Sequence, residues 1–246
     1  MLSDVNLNHV LGKHVGIYPF DATHIEGASI DLTASRYAWS LKDKTPCVIG
    51  DQIIIKPKDT AIVFTNEAIS LDKSYAGICL NRMSFSIEGI IHSSSPLKPG
   101  YTGRLSVAIY NSSDSNFIIN VGEPMLVIML FKLRRHASAT VGNGYGSRLD
   151  ILASLGIQID EHARRELVSY DDRDNLLGLM KEYAGFKEYK KRHFKTKRIP
   201  IAIVVVLIIL GLAVYAVYVH KAVELVLIII TAIVSIIGSH LDEWLL

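Results

Sequence analysis

Between Ile199 and Val219 the chain runs for 21 residues without a charged side chain, and no other feature restricts its folding more. At a rise of about 1.5 Å per residue, a helix of that length reaches about 30 Å, the thickness of a bilayer's hydrocarbon core. Pro200 falls in the first turn, where a missing N–H costs little. Tyr215 and Tyr218 stand near the far end, where amphipathic rings suit an interface. A buried core helix is the alternative, but no neighbouring segment is apolar enough to surround it. A second apolar segment, Leu225–Gly238, is shorter, so it either spans with snorkelling ends or is re-entrant. The link from Lys221 to Glu224 is short enough to force two antiparallel neighbours. The expectation is a transmembrane hairpin over residues 199–240.

Charge is segregated around that tail. The formal net charge is +2, but residues 187–198 carry seven Lys/Arg (Lys187, Lys190, Lys191, Arg192, Lys195, Lys197, Arg198) against Glu188, a local +6. Residues 199–246 sum to −2, which leaves −2 for residues 1–186. A mildly acidic body gives nucleic-acid binding no electrostatic support. The basic run predicts a membrane protein whose N-terminal body and C-terminus are both cytoplasmic, and the same run suits anionic lipid. The polar N-terminus does not read as a signal peptide. Two cysteines, Cys47 and Cys79, cannot form a disulfide framework and agree with a reducing compartment.

The body reads as mainly β. Short or alternating apolar runs recur at Val15–Tyr18, Ser29–Thr33, Gln52–Ile55, Ala61–Thr65, Tyr75–Leu80, Leu105–Tyr110, Asn116–Asn120 and Met125–Phe131. Turn residues separate them, as in Lys98-Pro99-Gly100-Tyr101 and Gly122-Glu123-Pro124. Strands this close together, without alternating helices, predict an antiparallel sandwich or barrel. A helix is predicted from Ser3, a capping residue type, towards Leu11. Gly142, Gly144 and Gly146 surround Tyr145, a pattern that is neither strand nor helix. It reads either as a flap that stacks Tyr145 on a ligand or as a plain linker. Beyond Leu149 the chain turns helical and polar. Asp174 or Asn175 is placed to cap a segment with Leu176, Leu179, Met180 and Tyr183 on one face. That region reads as a stalk or switch leading to the membrane. The predicted divisions are a β domain over 1–135, a glycine-rich flap or linker over 136–148, a helical stalk over 149–198 and the hairpin.

Several ordered motifs resemble one family. Leu2-Ser3-Asp4, Ile17-Tyr18-Pro19-Phe20-Asp21 and Ala28-Ser29-Ile30-Asp31-Leu32 are similar to the N-terminal signature of bacterial and archaeal dCTP deaminases, relatives of the trimeric dUTPases. Asn81–Ile90 resembles the family's phosphate segment, G-R-S-S-x-x-R-x-G. His92–Gly103 resembles its substrate loop, I-D-P-G-[WFY]-x-G. Leu105–Ser112, with Tyr110-Asn111-Ser112, and Gly122–Phe131 resemble the strands that follow. The resemblance covers residues 1–133. It implies a distorted antiparallel β barrel or double sheet of the dUTPase-like type, assembled as a homotrimer with nucleotide sites at subunit interfaces.

The positions that carry the family's chemistry depart from its pattern. The deaminase Glu before the Y-N-S turn corresponds to Ala108, and a methyl group cannot shuttle protons. The second arginine of the phosphate segment corresponds to Ile87. The Asp of I-D-P-G corresponds to Lys98, and the Gln of the last strand to Ile128. The loop before Lys98 is one residue shorter than the family pattern. What remains is suited to phosphate: Arg82 and Ser84 are types that cradle it, and Lys98 adds positive charge beside it. The plain alternative is an interface ion pair for Arg82 and a solvated Lys98. Asp31 reads as structural. Glu88 and His92 are poor candidates for a replacement base. The nine histidines form no metal-ligand spacing, so no cofactor is expected, and Mg enters only with a bound nucleoside triphosphate. Three functions stay open. One is a silent, membrane-anchored nucleotide-binding pseudoenzyme acting as sensor or effector. The second is an active membrane-tethered dCTP deaminase or dUTP pyrophosphatase, and the third a ligand-free trimeric scaffold.

Overall fold

The computed structural model describes residues 1–92, 95–139, 147–220 and 228–232, the side chains of 194–205, 213 and 216–220 excepted. The chain divides into two units, Met1–Tyr189 and Lys190–Leu246. The elements in chain order are α1 (Asp4–Val10), β1 (Val15–Tyr18), β2 (Ile25–Glu26), β3 (Ser29–Ser40), β4 (Val48–Ile49), β5 (Gln52–Ile55), β6 (Thr60–Leu71) and β7 (Tyr75–Asn81). There follow α2 (Met83–Ile87), β8 (Ile90–His92), β9 (Ser95–Leu97), β10 (Thr102–Asn111), β11 (Phe117–Asn120), β12 (Pro124–Lys132), α3 (Leu149–Ser154), α4 (Glu161–Val168), α5 (Arg173–Glu182) and α6 (Ala184–His220).

Local sequence accounts for many of these. Ser3 caps α1 through a reciprocal box: its Oγ accepts the Asn6 N–H, and the Asn6 side chain accepts the Ser3 N–H, each at 3.3 Å. β1 and β5 coincide with the predicted runs, whereas β3 and β6 extend to 12 residues each. Tertiary pairing explains the extra length. β3 pairs with β12 through Ile30–Thr33, then with β6 through Ala34–Ser40. β6 in turn pairs with β3 through Ala61–Thr65 and with β1 through Ala68–Leu71. Two long strands that change partners part-way along curl the sheet.

The sheet runs β8-β10-β6-β3-β12-β7-β9, every pairing antiparallel, with β11-β5-β4 as a small second sheet. Among the described residues this path is open. The mainly β, antiparallel architecture expected from the sequence is present, as a curled half-barrel and not a closed barrel.

Both faces of β6 are covered, so it is apolar almost throughout. Ala61, Val63, Ile69 and Leu71 join the inner core with Leu32, Ile109 and Ile128. Ile62 and Phe64 face outward into a second cluster with Trp39, Leu152, Ile157, Ala163 and Leu167. The helices after the sheet therefore bury one side against it. α5 packs on β1, capped by Asp172 where Asp174 or Asn175 was expected, because the Asp172 carboxylate accepts the Asn175 N–H at 2.8 Å. It buries Leu176, Leu177 and Met180, while Leu179 is partly covered and Tyr183 exposed. Gly16 permits this packing: a Cβ there would meet Leu176 Cδ2 at 2.5 Å.

The uncharged segment Ile199–Val219 is helical, as the C-terminal part of α6. Among the described residues no helix is long and apolar enough to cross a membrane. The hairpin expected over 199–240 thus finds no support in the described structure. Of its second segment only Ile228–Ala232 is described, as helix, and the rest lies outside the described residues.

Candidate functional site

Strand pairing brings the phosphate-type segment to the edge of the sheet. Ile90, Ile91 and His92 lie opposite Asn111, Tyr110 and Ile109. Ser112 locks the corner by donating through both N–H and Oγ to the Gly89 carbonyl, at 3.1 and 2.5 Å. Asn111, fully buried, donates to the carbonyls of Ile55 and Ser115 at 2.9 and 2.8 Å, so this part of the Tyr110-Asn111-Ser112 motif is spent on the turn. α2 is held from below by Phe85, edge-on to Phe117 with centroids 5.0 Å apart.

Arg82 immediately precedes α2. Its Nη1 reaches Asp31 Oδ2 of β3 at 2.5 Å, with both side chains more than two-thirds buried. Asp31, read from the sequence as structural, holds Arg82. Asn81 donates to Ser86 Oγ at 2.8 Å and to the Ile90 carbonyl at 3.1 Å, closing the segment on itself. Ser84 and Lys98 are exposed. The Lys98 carbonyl accepts the Tyr101 N–H at 3.2 Å in the turn before β10. Tyr145, with the glycine-rich segment 142–146, lies outside the described residues.

The positions that depart from the resemblance separate in space. Ala108 is exposed on the outer face of β10, opposite Ile62 of β6. Tyr110, two residues on along β10, and Ile91, its partner on β8, share that face. Ile87 is 78% exposed and Met83, one turn earlier on α2, 76% exposed, and Ile91 of β8 is exposed as well. Ile128 is different: it is fully buried between Ile30 and Cys79 in the inner core, and it presents nothing to the surface. Of the two weak base candidates, Glu88 is exposed and His92 buried.

Sequence reasoning passed over three features. Glu67, 5% exposed, sits where β6 leaves β3 for β1, and burial pushes its carboxyl above the ordinary range while bonds from Thr33 oppose the shift. An acid inside the apolar run of β6 was the available signal. Arg104 is 6% exposed and lies between the rings of Tyr37 and Tyr170, 5.9 and 5.3 Å from their centroids. Nothing in the spacing of β10 announced it, because Tyr170 is 66 residues away. The third is a cleft of about 340 Å³ lined by Ser147, Arg148, Asp150, Arg164, Val168 and Asp171. Ser147 Oγ closes its floor by donating to the Leu167 carbonyl, and burial raises the carboxyl of Asp171. Among the described residues no group of three or more His, Cys, Asp or Glu is arranged to hold a metal ion.

Residues 1–133 match the family described as dCTP deaminase-like. A dCTP deaminase from Pyrococcus abyssi is 29% identical over 142 residues, which cover 57% of this chain and 92% of the relative. A dCTP deaminase from Pyrococcus furiosus is 31% identical over 137 residues, 55% of this chain and 87% of the relative. Among solved structures, 2'-deoxycytidine 5'-triphosphate deaminase from Agrobacterium tumefaciens is similar with a TM-score of 0.45 and 15% identity, over 52% of this chain and 47% of that one.

Proposed function

The chain belongs to the dCTP deaminase-like family, and on that footing we propose that it binds a nucleotide without turning it over, at the subunit interfaces of a homotrimer, as a sensor or effector at a membrane. The observation that carries the silent reading is Ala108. It is exposed on the outer face of β10, at the position where the resemblance puts the proton-shuttling Glu, and its methyl group can neither give nor take a proton. Lys98, exposed in the turn before that strand, offers a cation where the resemblance puts an Asp. Arg82, Ser84, Lys98 and Tyr145 are the residues proposed to hold phosphate and base, with magnesium entering only alongside a triphosphate.

Assembly is supported by the exposed Met83, Ile87 and Ile91, a surface of the kind that a subunit interface covers. The membrane part rests on the sequence alone: 21 uncharged residues preceded by a local +6. The ion pair of Arg82 with Asp31 favours a second reading, a trimeric scaffold without ligand, because it already occupies the guanidinium.

A thermal-shift panel of nucleoside triphosphates on the full chain, run beside a dCTP and dUTP turnover assay, separates these. A stabilising shift that Lys98→Ala abolishes, with no product formed, is the result expected. Release of ammonia from dCTP or of pyrophosphate from dUTP overturns the silent reading. An unmoved melting curve across the panel leaves the scaffold.

A further inference from the structure

β10 is interrupted beside the candidate site. Its register with β6 shifts between Arg104 and Ser106, and the Leu105 N–H leaves the ladder to donate to Thr65 Oγ1 at 2.9 Å. A bulge is where a strand can change twist without unpairing along its whole length. The residue at this bulge is Arg104. Its guanidinium is nine-tenths buried, its Nη1 reaches the Thr65 carbonyl only at 3.5 Å, and its faces are covered by Tyr37 of β3 and Tyr170, just beyond α4.

From Tyr170 the ring contacts continue. Tyr170 lies 5.3 Å from Tyr18 at the end of β1, and Tyr18 lies 5.7 Å, edge-on, from Tyr183. Tyr183 is the hinge between two helices. Its N–H donates to the Leu179 and Met180 carbonyls to close α5, and its own carbonyl accepts the Lys187 N–H at 3.0 Å in the first turn of α6. That turn is anchored by Phe186 and Tyr189, 5.1 and 5.0 Å from Phe20.

We propose that Arg104, Tyr170, Tyr18 and Tyr183 form a relay of packed rings that carries a change at the outer face of β10 to the first turn of α6. The relay rests on the sensor reading above for its input, and not for its existence. The Arg104 guanidinium sits over the Tyr170 ring, which is tilted 55° to Tyr18, and Tyr183 meets Tyr18 edge-on at 83°, so a displacement of Arg104 bears on Tyr170, and Tyr170 and Tyr183 bear on the same ring of Tyr18. A relay needs an element with two arrangements, and the proposal assigns that part to the β10 bulge.

Amide hydrogen exchange of Lys187–Tyr189 in the full chain tests the relay without any nucleotide. Arg104→Met and Tyr170→Leu are each expected to speed exchange there about tenfold, and the double variant no further, because both cut one link. Multiplying effects, or unchanged exchange in Arg104→Met, overturn the relay. Arg104→Lys, which keeps the charge and loses the flat guanidinium over Tyr170, repeats the effect if that contact is the cause, and it serves where Arg104→Met does not fold. Wild-type exchange in Arg104→Lys overturns the relay. A second arm adds dCTP or dUTP and reads calorimetric affinity beside exchange. Tyr170→Leu is expected to keep affinity within about threefold and to lose the exchange response. A response that survives Tyr170→Leu overturns the relay, whereas wild-type protein that binds neither nucleotide overturns the sensor reading and leaves the first arm to decide.

Discussion

Glu67 of β6 accepts two hydrogen bonds from a single residue, Thr33 of β3: one from the backbone N–H at 2.8 Å and one from Oγ1 at 2.7 Å. Thr33 is the last residue by which β3 pairs with β12, so the carboxylate stitches the seam where the sheet changes partners. Thr65 completes the stitch by donating from Oγ1 to the Glu67 carbonyl at 2.7 Å.

That seam makes stability depend on pH. Burial raises the Glu67 carboxyl above its ordinary 4.5. A carboxyl raised in the folded state binds its proton more tightly there than in the unfolded chain. The contribution is therefore full below pH 4.5 and is lost as pH climbs through the folded value. Denaturant melts of wild type and Glu67→Gln, run from pH 4 to 8, are expected to show wild type losing ground to the variant as pH rises. A constant difference between the two would remove Glu67 as the cause.

Gly16→Ala should destabilise the fold by about 1–3 kcal/mol, because the added methyl overlaps Leu176 where α5 packs on β1. Gly16→Ala together with Leu176→Ala should cost less than the two changes summed, because the shortened side chain relieves the overlap. Thermal melts of the two single variants and the double variant measure both effects.

Removing Arg82 leaves Asp31 mostly buried without its partner. Arg82→Ala is expected to cost about 1–3 kcal/mol, and Arg82→Ala with Asp31→Asn to cost less than the two changes summed. The cycle is read by urea unfolding of the full chain. Additivity would mean that the pair contributes nothing to folding.

Cys47 should be sluggish towards alkylation. Burial, with Asp59 adding to it, pushes its thiol up to about 11, so at pH 8 about one molecule in a thousand carries the thiolate. Iodoacetamide labelling followed by mass spectrometry should find Cys47 labelled only after denaturant is added. Rapid labelling of the native protein contradicts this.

Much of the sheet was legible because it is written locally. β1 and β5 follow from apolar runs between turn residues, and α1 from Ser3 and Asn6. The helix over residues 173–182 was visible, but its cap slipped to Asp172, since Asp172, Asp174 and Asn175 all suit a cap and only the packing of Leu176, Leu177 and Met180 chooses among them. Arg82, Ser84, Lys98 and Ala108 were picked out by motif, and three of them lie at the surface: Ser84, Lys98 and Ala108. Ile128 was found by the same motif and is interior, because a strand's side chains alternate and one position cannot be assigned a face without its partners.

The sequence by itself determined the things that composition and short range can encode: the antiparallel strands and their turns, the family match over residues 1–133, and the uncharged segment after a basic run. Tertiary structure decided what depends on residues far apart meeting. It paired Arg82 with Asp31 across 51 residues, joined Glu67 to Thr33 across 34, placed Arg104 between Tyr37 and Tyr170, and laid α3 and α4 over the outward side chains of β6. Each of these contacts needs the loop between its partners to close first. The ordering cost of that closure is met by the whole core and not by any local signal.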